Sequence, residues 1–194
     1  MIRKEELYQI GYGDFEKILN NLTLSVEKYF NSVNQKIDLI VPILRSGAFT
    51  GIHLASKYKI TNILPVQYKY IYHPKEKIIR KFSFPTLLFS LPTNPNILIT
   101  DSNTVTAGIA KIVIKSISKK YPKANIYFAS ANLDYSMQQL NGVKKVFYGV
   151  FSNESHQLTS EQANKLGIDS KIIIFPWENL EEQWEEINSS QTQI

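Results

Sequence analysis

Two short stretches carry residue types suited to holding a phosphorylated ligand. The first is Asn96-Ile-Leu-Ile-Thr-Asp-Ser-Asn-Thr-Val-Thr-Ala-Gly-Ile-Ala-Lys111. It runs from an apolar, β-branched strand pattern into Asp101, then through Ser102, Thr104, Thr106 and Gly108. A helix pattern follows, with Ile109, Ile112, Val113 and Ile117 on one face. A strand, a polar loop and a helix start aim backbone N–H groups and a helix dipole at an anion. The second stretch, Leu44-Arg-Ser-Gly47, separates the apolar run Ile37–Leu44 from a helix pattern over Ala48–Tyr58. Its arginine suits bidentate phosphate contacts, and its glycine lets backbone approach a ligand. Taken singly, each stretch reads equally as an ordinary βα turn, with Asp101 or Ser102 capping a helix and Arg45 lying on the surface.

The elements that must position these loops alternate along the chain. Residues 13–30 predict an amphipathic helix capped by Asp14, with Phe15, Ile18, Leu19, Leu22 and Val26 inward. Gly11-Tyr-Gly13 before it is a turn, since no strand precedes it and no later glycine keeps register. The run Ile37–Leu44 predicts a central parallel strand whose end Pro42 makes irregular. Further strands are expected at 62–66, 125–129, 144–150 and 171–175. Short helices are expected at 159–167, ended by Gly167, and at 178–187, with 188–194 frayed. Between the two loops, Tyr68, Tyr70, Tyr72 and His73 interleave with Lys69, Lys75, Lys77, Arg80 and Lys81, and Pro85, Pro92 and Pro95 follow. That segment reads either as a mobile connection over an active site or as a β-hairpin with a charged edge; the alternating tyrosines suit a strand. Strand–helix alternation argues for an α/β, Rossmann-like parallel sheet flanked by helices.

Composition narrows the classes. The chain has 194 residues, enough for one domain with a real core, and no cysteine, which excludes disulfides and thiolate metal sites. No window approaches a membrane span, so a soluble, cytoplasmic protein with no membrane partner is expected. The three histidines, His53, His73 and His156, lack metal-ligand spacing. A net charge of +5, with no nucleic-acid motif beside the central lysines, suits small polyanions better than nucleic acid.

Together the two loops resemble those of the type I phosphoribosyltransferases. Asp101-Ser-Asn-Thr-Val-Thr-Ala-Gly-Ile109 is similar to the loop that cradles the ribose and 5-phosphate of phosphoribosyl pyrophosphate (PRPP) in that family. Val41-Pro-Ile-Leu-Arg-Ser-Gly47 looks like the pyrophosphate loop. The resemblance implies a single domain over residues 1–194, with a small hood from the N-terminal residues and about 145–194, and a flexible loop at about 67–95. It implies transfer of ribose 5-phosphate from PRPP to a nucleobase, assisted by Mg2+ carried on PRPP, in a homodimer. Asp101 and Arg45 then take the catalytic roles, with Asp101 also the one protein group near the magnesium. Asp101, Ser102, Asn103, Thr104, Val105, Thr106, Ala107, Gly108 and Ile109 hold the ribose and 5-phosphate. Leu44, Arg45, Ser46, Gly47 and Lys69 hold the pyrophosphate, and a cis peptide is implied between Leu44 and Ser46. The run Ile-Ile-Phe-Pro-Trp-Glu178 is similar to the ending of xanthine/guanine enzymes, which sets Ile172 and Ile173 beside the base and favours a purine.

The departures bear on activity. Ser102 replaces a second acid, Ala107 a glycine, Ile109 a hydroxyl residue and Val105 an acid. The 5-phosphate then depends on backbone N–H groups, Thr104 and Thr106. Losing one charge-assisted donor costs on the order of 1.5–3 kcal/mol, roughly ten- to hundredfold in affinity. The lysine that reads a purine oxygen in such enzymes has no counterpart near Ala129–Asn132. Three readings stand at this point: an active transferase, a PRPP- or nucleotide-binding regulator of the same fold, and an unrelated α/β protein.

Overall fold

The computed structural model describes residues 2–73 and 76–191; Lys75 of the central basic cluster and residues 192–194 of the expected frayed end lie outside them. Its centre is a six-stranded sheet built on three nearly wholly buried strands, β2 (Leu39–Leu44), β5 (Asn96–Thr104) and β6 (Asn125–Asp134). Strands buried on both faces require helices on each side. The sheet continues on one side into β3 (Val66–His73) and β4 (Glu76–Ser83), and on the other into β7 (Lys145–Ser152), in the order β4-β3-β2-β5-β6-β7. Every pairing is parallel except the β3–β4 hairpin.

Helices α1 (Tyr12–Ser32) and α2 (Gly47–Tyr58) cover one face, and α3 (Gly108–Lys120) covers the other. Phe15, Leu19, Leu22, Val26 and Phe30 recur at helical spacing along α1 and are buried. Asp14 is not the cap of this helix. Gly11 occupies the N-cap without a side-chain bond, and Asp14 lies in the first turn, paired with Lys17 at 3.0 Å. A carboxylate there still complements the helix dipole.

The irregularity expected at Pro42 shows as a gap in pairing inside β2. The proline is buried and aligned with Thr100 of β5. On the other side it falls between an isolated Ile40–Ile63 bridge and the ladder that starts at Ile43–Val66. The missing N–H thus coincides with a gap in the β3 ladder, where no partner requires it.

From Val66 to Ser83 the central basic segment is a hairpin and not an open connection. Tyr68 and Tyr70 share the α3 face of β3: the Tyr68 hydroxyl meets Ser116 Oγ at 3.3 Å, and the Tyr70 hydroxyl lies against Gly108. Strand alternation therefore outweighed the loop signals of lysine and proline.

The two ends of the chain meet above the carboxyl ends of the strands. Strand β1 (Leu7–Gln9) pairs in parallel with β8 (Ile172–Ile174) as a separate two-stranded sheet. A short helix α4 (Ser160–Leu166) leads there, capped by a Thr159–Gln162 capping box and ended by Gly167 in the left-handed region. The last helix, α5 (Leu180–Gln191), is tied to the N-terminus by Trp184 Nε1 donating to the Ile2 carbonyl at 2.9 Å. Phe175 and Trp177 stack at 5.0 Å, and Phe15 meets both edge-on, anchoring this hood to α1. Trp177 also stacks on Phe49 of α2 at 3.9 Å. Among the described residues no helix is long and apolar enough to cross a membrane.

One close approach sets the seat of α1 on the sheet. A Cβ on Gly149 would lie 2.4 Å from the Ile18 carbonyl oxygen and 2.9 Å from that of Ala131. Gly149→Ala is therefore expected to destabilise the fold by about 2–4 kcal/mol. Gly13→Ala, in open space on α1, should stabilise it by about 0.5–1 kcal/mol. Urea unfolding midpoints of the two variants check both signs.

Candidate functional site

The two loops singled out by residue type meet at the carboxyl ends of β2 and β5. Strands β2 and β5 are neighbours in register, so each chain emerges beside the other. The helix that follows β2 begins at Gly47, whose backbone presses on the end of β5. A Cβ there would stand 2.5 Å from the Thr100 carbonyl oxygen. Thr100 Oγ1 donates to the Gly47 carbonyl at 3.0 Å, and Ser102 Oγ donates to the Ser46 carbonyl at 2.7 Å. The Leu44–Arg45 peptide is cis, within the expected span. Arg45 is exposed, Ser46 is half-buried and Gly47 is buried. Lys69 is also exposed, two residues past the Leu44–Gln67 pair, where β3 extends beyond the end of β2.

Asp101 sits at the junction. Its Oδ1 accepts from the Ser102 N–H at 2.8 Å and from the Ser46 hydroxyl at a longer 3.5 Å. Burial outweighs these two bonds and lifts the carboxyl from the ordinary aspartate range to about 7. The remaining surface of Asp101 faces a cavity of about 200 Å³, lined also by Tyr70, Asn103 and the run from Thr104 to Ala110.

The far wall of that cavity is the start of α3. Ala107 is the N-cap and takes the left-handed conformation, φ 54° and ψ 21°. A left-handed residue followed by helical ones turns successive N–H groups toward one point, the geometry of an anion nest. The strain is real for alanine, on the order of 1 kcal/mol, and glycine would relieve it. Two expected contributors have their hydroxyls engaged elsewhere. Ser102 is fully buried and spends its hydroxyl on Ser46 and Thr50. Thr104 is buried with its hydroxyl on Ser130 at 2.9 Å. Thr106 is exposed at the rim, Val105 and Ile109 are half-buried, and Gly108 opens the helix.

The structure adds two groups that residue spacing did not single out. The Tyr70 hydroxyl reaches Gly108 from the hairpin, so that a Cβ at that position would lie 2.1 Å from it. Lys111 folds back from the first turn of α3, its Nζ donating to the Thr106 carbonyl at 3.4 Å. A hydroxyl and a cation thus stand beside the loop that lacks one at Ile109. The alternating tyrosines signalled that one face of β3 is aromatic, but not which loop that face would meet.

Ile172 and Ile173 lie in hood strand β8. Ile172 is half-buried, whereas Ile173 turns its side chain into the core cluster of Phe15, Leu19 and Phe175. Only its backbone N–H faces the strand ends, meeting Glu154 Oε1 at 3.3 Å. Among the described residues no three His, Cys, Asp or Glu side chains gather to hold a metal ion. A larger cavity of about 530 Å³ lies at the opposite end of the sheet, beside Phe30, Asp38 and Tyr58, away from both loops.

No protein-family model matches the sequence, and no curated protein matches it. The fold does have close parallels among solved structures. A purine phosphoribosyltransferase from Pyrococcus horikoshii Ot3 superposes over 90% of this chain and 95% of its own, with a TM-score of 0.62 at 16% identity. A xanthine-guanine-hypoxanthine phosphoribosyltransferase from Helicobacter pylori covers 94% and 99%, with a TM-score of 0.61 at 17% identity. A hypothetical protein from Neisseria gonorrhoeae with bound ppGpp covers 95% and 97%, with a TM-score of 0.64 at 16% identity. The chain has the type I phosphoribosyltransferase fold.

The state of Asp101 has a measurable signature. Between about pH 4 and 7 the folded protein holds a proton that the unfolded chain has released, so this group lowers stability as pH rises through that window. Asp101→Asn keeps an oxygen for the Ser102 N–H and removes the buried charge. It should melt several degrees above the unaltered protein at pH 8, and the difference should vanish near pH 4. Calorimetric Tm values at the two pH values check this.

Proposed function

We propose that the protein is a phosphoribosyltransferase that moves ribose 5-phosphate from PRPP to a ring or amino nitrogen. The observation that supports this best is the junction of the loops: Ser102 Oγ on the Ser46 carbonyl at 2.7 Å, with Asp101 opening into the cavity beside them. One ligand spanning that junction meets a phosphate nest on one side and an exposed arginine on the other.

In the reaction, a bond forms between the acceptor nitrogen and the anomeric carbon as the carbon–oxygen bond to pyrophosphate breaks. Pyrophosphate leaves with the bonding electrons, and the nitrogen releases its proton. The 5-phosphate is held by the N–H groups at the start of α3, with Thr106, Lys111 and the Tyr70 hydroxyl around them. Asp101 faces the ribose hydroxyls and stabilises the positive charge that builds on the sugar. Arg45 and Lys69 stand where charge grows on the leaving group. Asp101 would be the residue to meet a magnesium ion carried with PRPP, which would neutralise part of that charge. A single carboxylate such as Asp101 is enough to meet an ion that keeps most of its waters.

A second reading, a nucleotide-binding regulator without transfer, draws on specific residues. Ala107 and Ile109 weaken the cradle, Ser102 and Thr104 have spent their hydroxyls, and a protein of this fold carries bound ppGpp. Calorimetric titration with PRPP and magnesium should show saturable binding; its absence at millimolar ligand would remove both readings. Pyrophosphate release with a panel of bases then separates them, since a regulator gives none. Asp101→Asn should weaken PRPP binding tenfold or more, by loss of a charge-assisted contact. Asp38→Asn, at the opposite end of β2 and bonded to the Asn96 N–H, should leave it within twofold. Equal losses would place the site elsewhere.

A further inference from the structure

Between residues 78 and 133 the sequence holds one acid, Asp101 of the site, against Arg80, Lys81, Lys111, Lys115, Lys119, Lys120 and Lys123. Every charged side chain of α3 is a lysine. The fold gathers part of this excess around the loop that follows β4. Lys120 Nζ donates to the Pro85 carbonyl at 3.3 Å and lies over the Phe84 ring at 5.2 Å. Lys120 and Lys123 line a recess of about 520 Å³ together with Leu87, Phe89 and Leu91 of that loop. Lys81 pairs in register with Tyr68, whose hydroxyl meets Ser116, so Lys81 stands on the hairpin face turned toward α3.

The same loop carries an apolar tip. Phe84, Leu87 and Leu91 pack against the core, whereas Leu88 is 98% exposed and Phe89 is 41% exposed. Leu88 therefore adds nothing to the packing of its own molecule. Pro85, Pro92 and Pro95 restrict the loop backbone, and Lys120 fixes its base, so the tip is held outward. The dipole of α3 accounts for Lys119 and Lys120 in its last turn, but not for Lys81, Lys123 or Leu88. Pro95 and Ala124 of the recess directly precede β5 and β6. The basic, apolar-tipped face thus lies at the amino ends of the strands, opposite the carboxyl ends that carry the site.

We propose that this face docks on an anionic membrane surface, with Leu88 and Phe89 entering the headgroup region and the lysines around them meeting lipid phosphates. An exposed aliphatic side chain gains by leaving water for the acyl boundary, and bases beside it are drawn to negative headgroups. A single-stranded nucleic acid would suit the lysines, but its bases stack on aromatic rings and gain nothing from Leu88. The expectation of no membrane partner rested on the lack of a spanning segment, which a surface contact does not need. A docked molecule keeps its cleft turned away from the bilayer, so the inference is independent of the transferase reading.

Flotation of the full chain with vesicles of phosphatidylcholine and phosphatidylglycerol in equal parts, against phosphatidylcholine alone, tests this. The mixed vesicles should be bound about tenfold tighter or more, and added salt should weaken that binding. Leu88→Ser should lower affinity for the mixed vesicles about tenfold, and Lys123→Gln about fivefold. Leu24→Ser, which removes a 64% exposed leucine from α1 on the other face of the sheet, should leave affinity within about twofold. Both leucines stand largely in solvent, so neither change threatens the fold. No binding to the mixed vesicles overturns the inference, as does an equal effect of Leu88→Ser and Leu24→Ser. Binding of a polyuridine oligonucleotide without vesicle binding also overturns it and assigns the lysines to nucleic acid. Self-association that Leu88→Ser abolishes, without vesicle binding, overturns it in favour of a contact between copies of the chain.

Discussion

The contact on which the site depends is the approach of Gly47 to the end of β5. Thr100 offers its carbonyl to a backbone with no side chain, and its own hydroxyl returns a bond to the Gly47 carbonyl. One residue further on, the Ser102 hydroxyl fixes Ser46. These bonds set the distance between the left-handed turn that opens α3 and the guanidinium on the β2–α2 turn. Any side chain at position 47 would separate the two turns, and each would revert to an ordinary loop. A parallel sheet makes such an arrangement economical, because neighbouring strands deliver their loops to the same edge.

That edge was legible in the residues to the extent that its parts are local. Apolar runs identified β2 and the first halves of β5 and β6, which are buried on both faces, whereas the second halves are buried but largely polar. Asp101, Thr106, Gly108 and Arg45 stood out because loop chemistry is written in consecutive residues. Pro42 marked the place where the neighbouring ladder has a gap, whereas Asp14 misled, because Gly11 caps α1 through backbone geometry alone. What could not be read was anything made by register. Asn103, Asn132 and Glu154 are ordinary polar residues until the pairing of β5, β6 and β7 sets them side by side. Likewise, nothing local says that Tyr70 of the hairpin will reach Gly108, or that Ser102 and Thr104 will turn inward.

The departures of the cradle are partly offset by their surroundings. Ala107 accepts the left-handed geometry that brings the α3 amides together, and its methyl group is buried in the core instead of standing in the nest. Ile109 supplies no hydroxyl, but Tyr70 and Lys111 stand beside the same turn. A hydroxyl and an ammonium thus flank the turn from neighbouring positions, which is a reason to judge the site by its cavity and not by agreement with a loop pattern.

The hood carries an implication for how the molecule folds. Leu7 pairs with Ile172, and Ile2 is held by Trp184 and Asn188, so the hood is closed by partners 182 and 186 positions apart in the chain. The six-stranded sheet needs nothing beyond β7, and the start of α3 and the β2–α2 turn lie within it. Until the hood closes, β1 has no strand to join, and Glu154 lacks the Ile173 N–H above it. Pairings this distant cost more chain entropy to close than the successive crossovers of the sheet, so the hood is expected to form after the sheet beneath it.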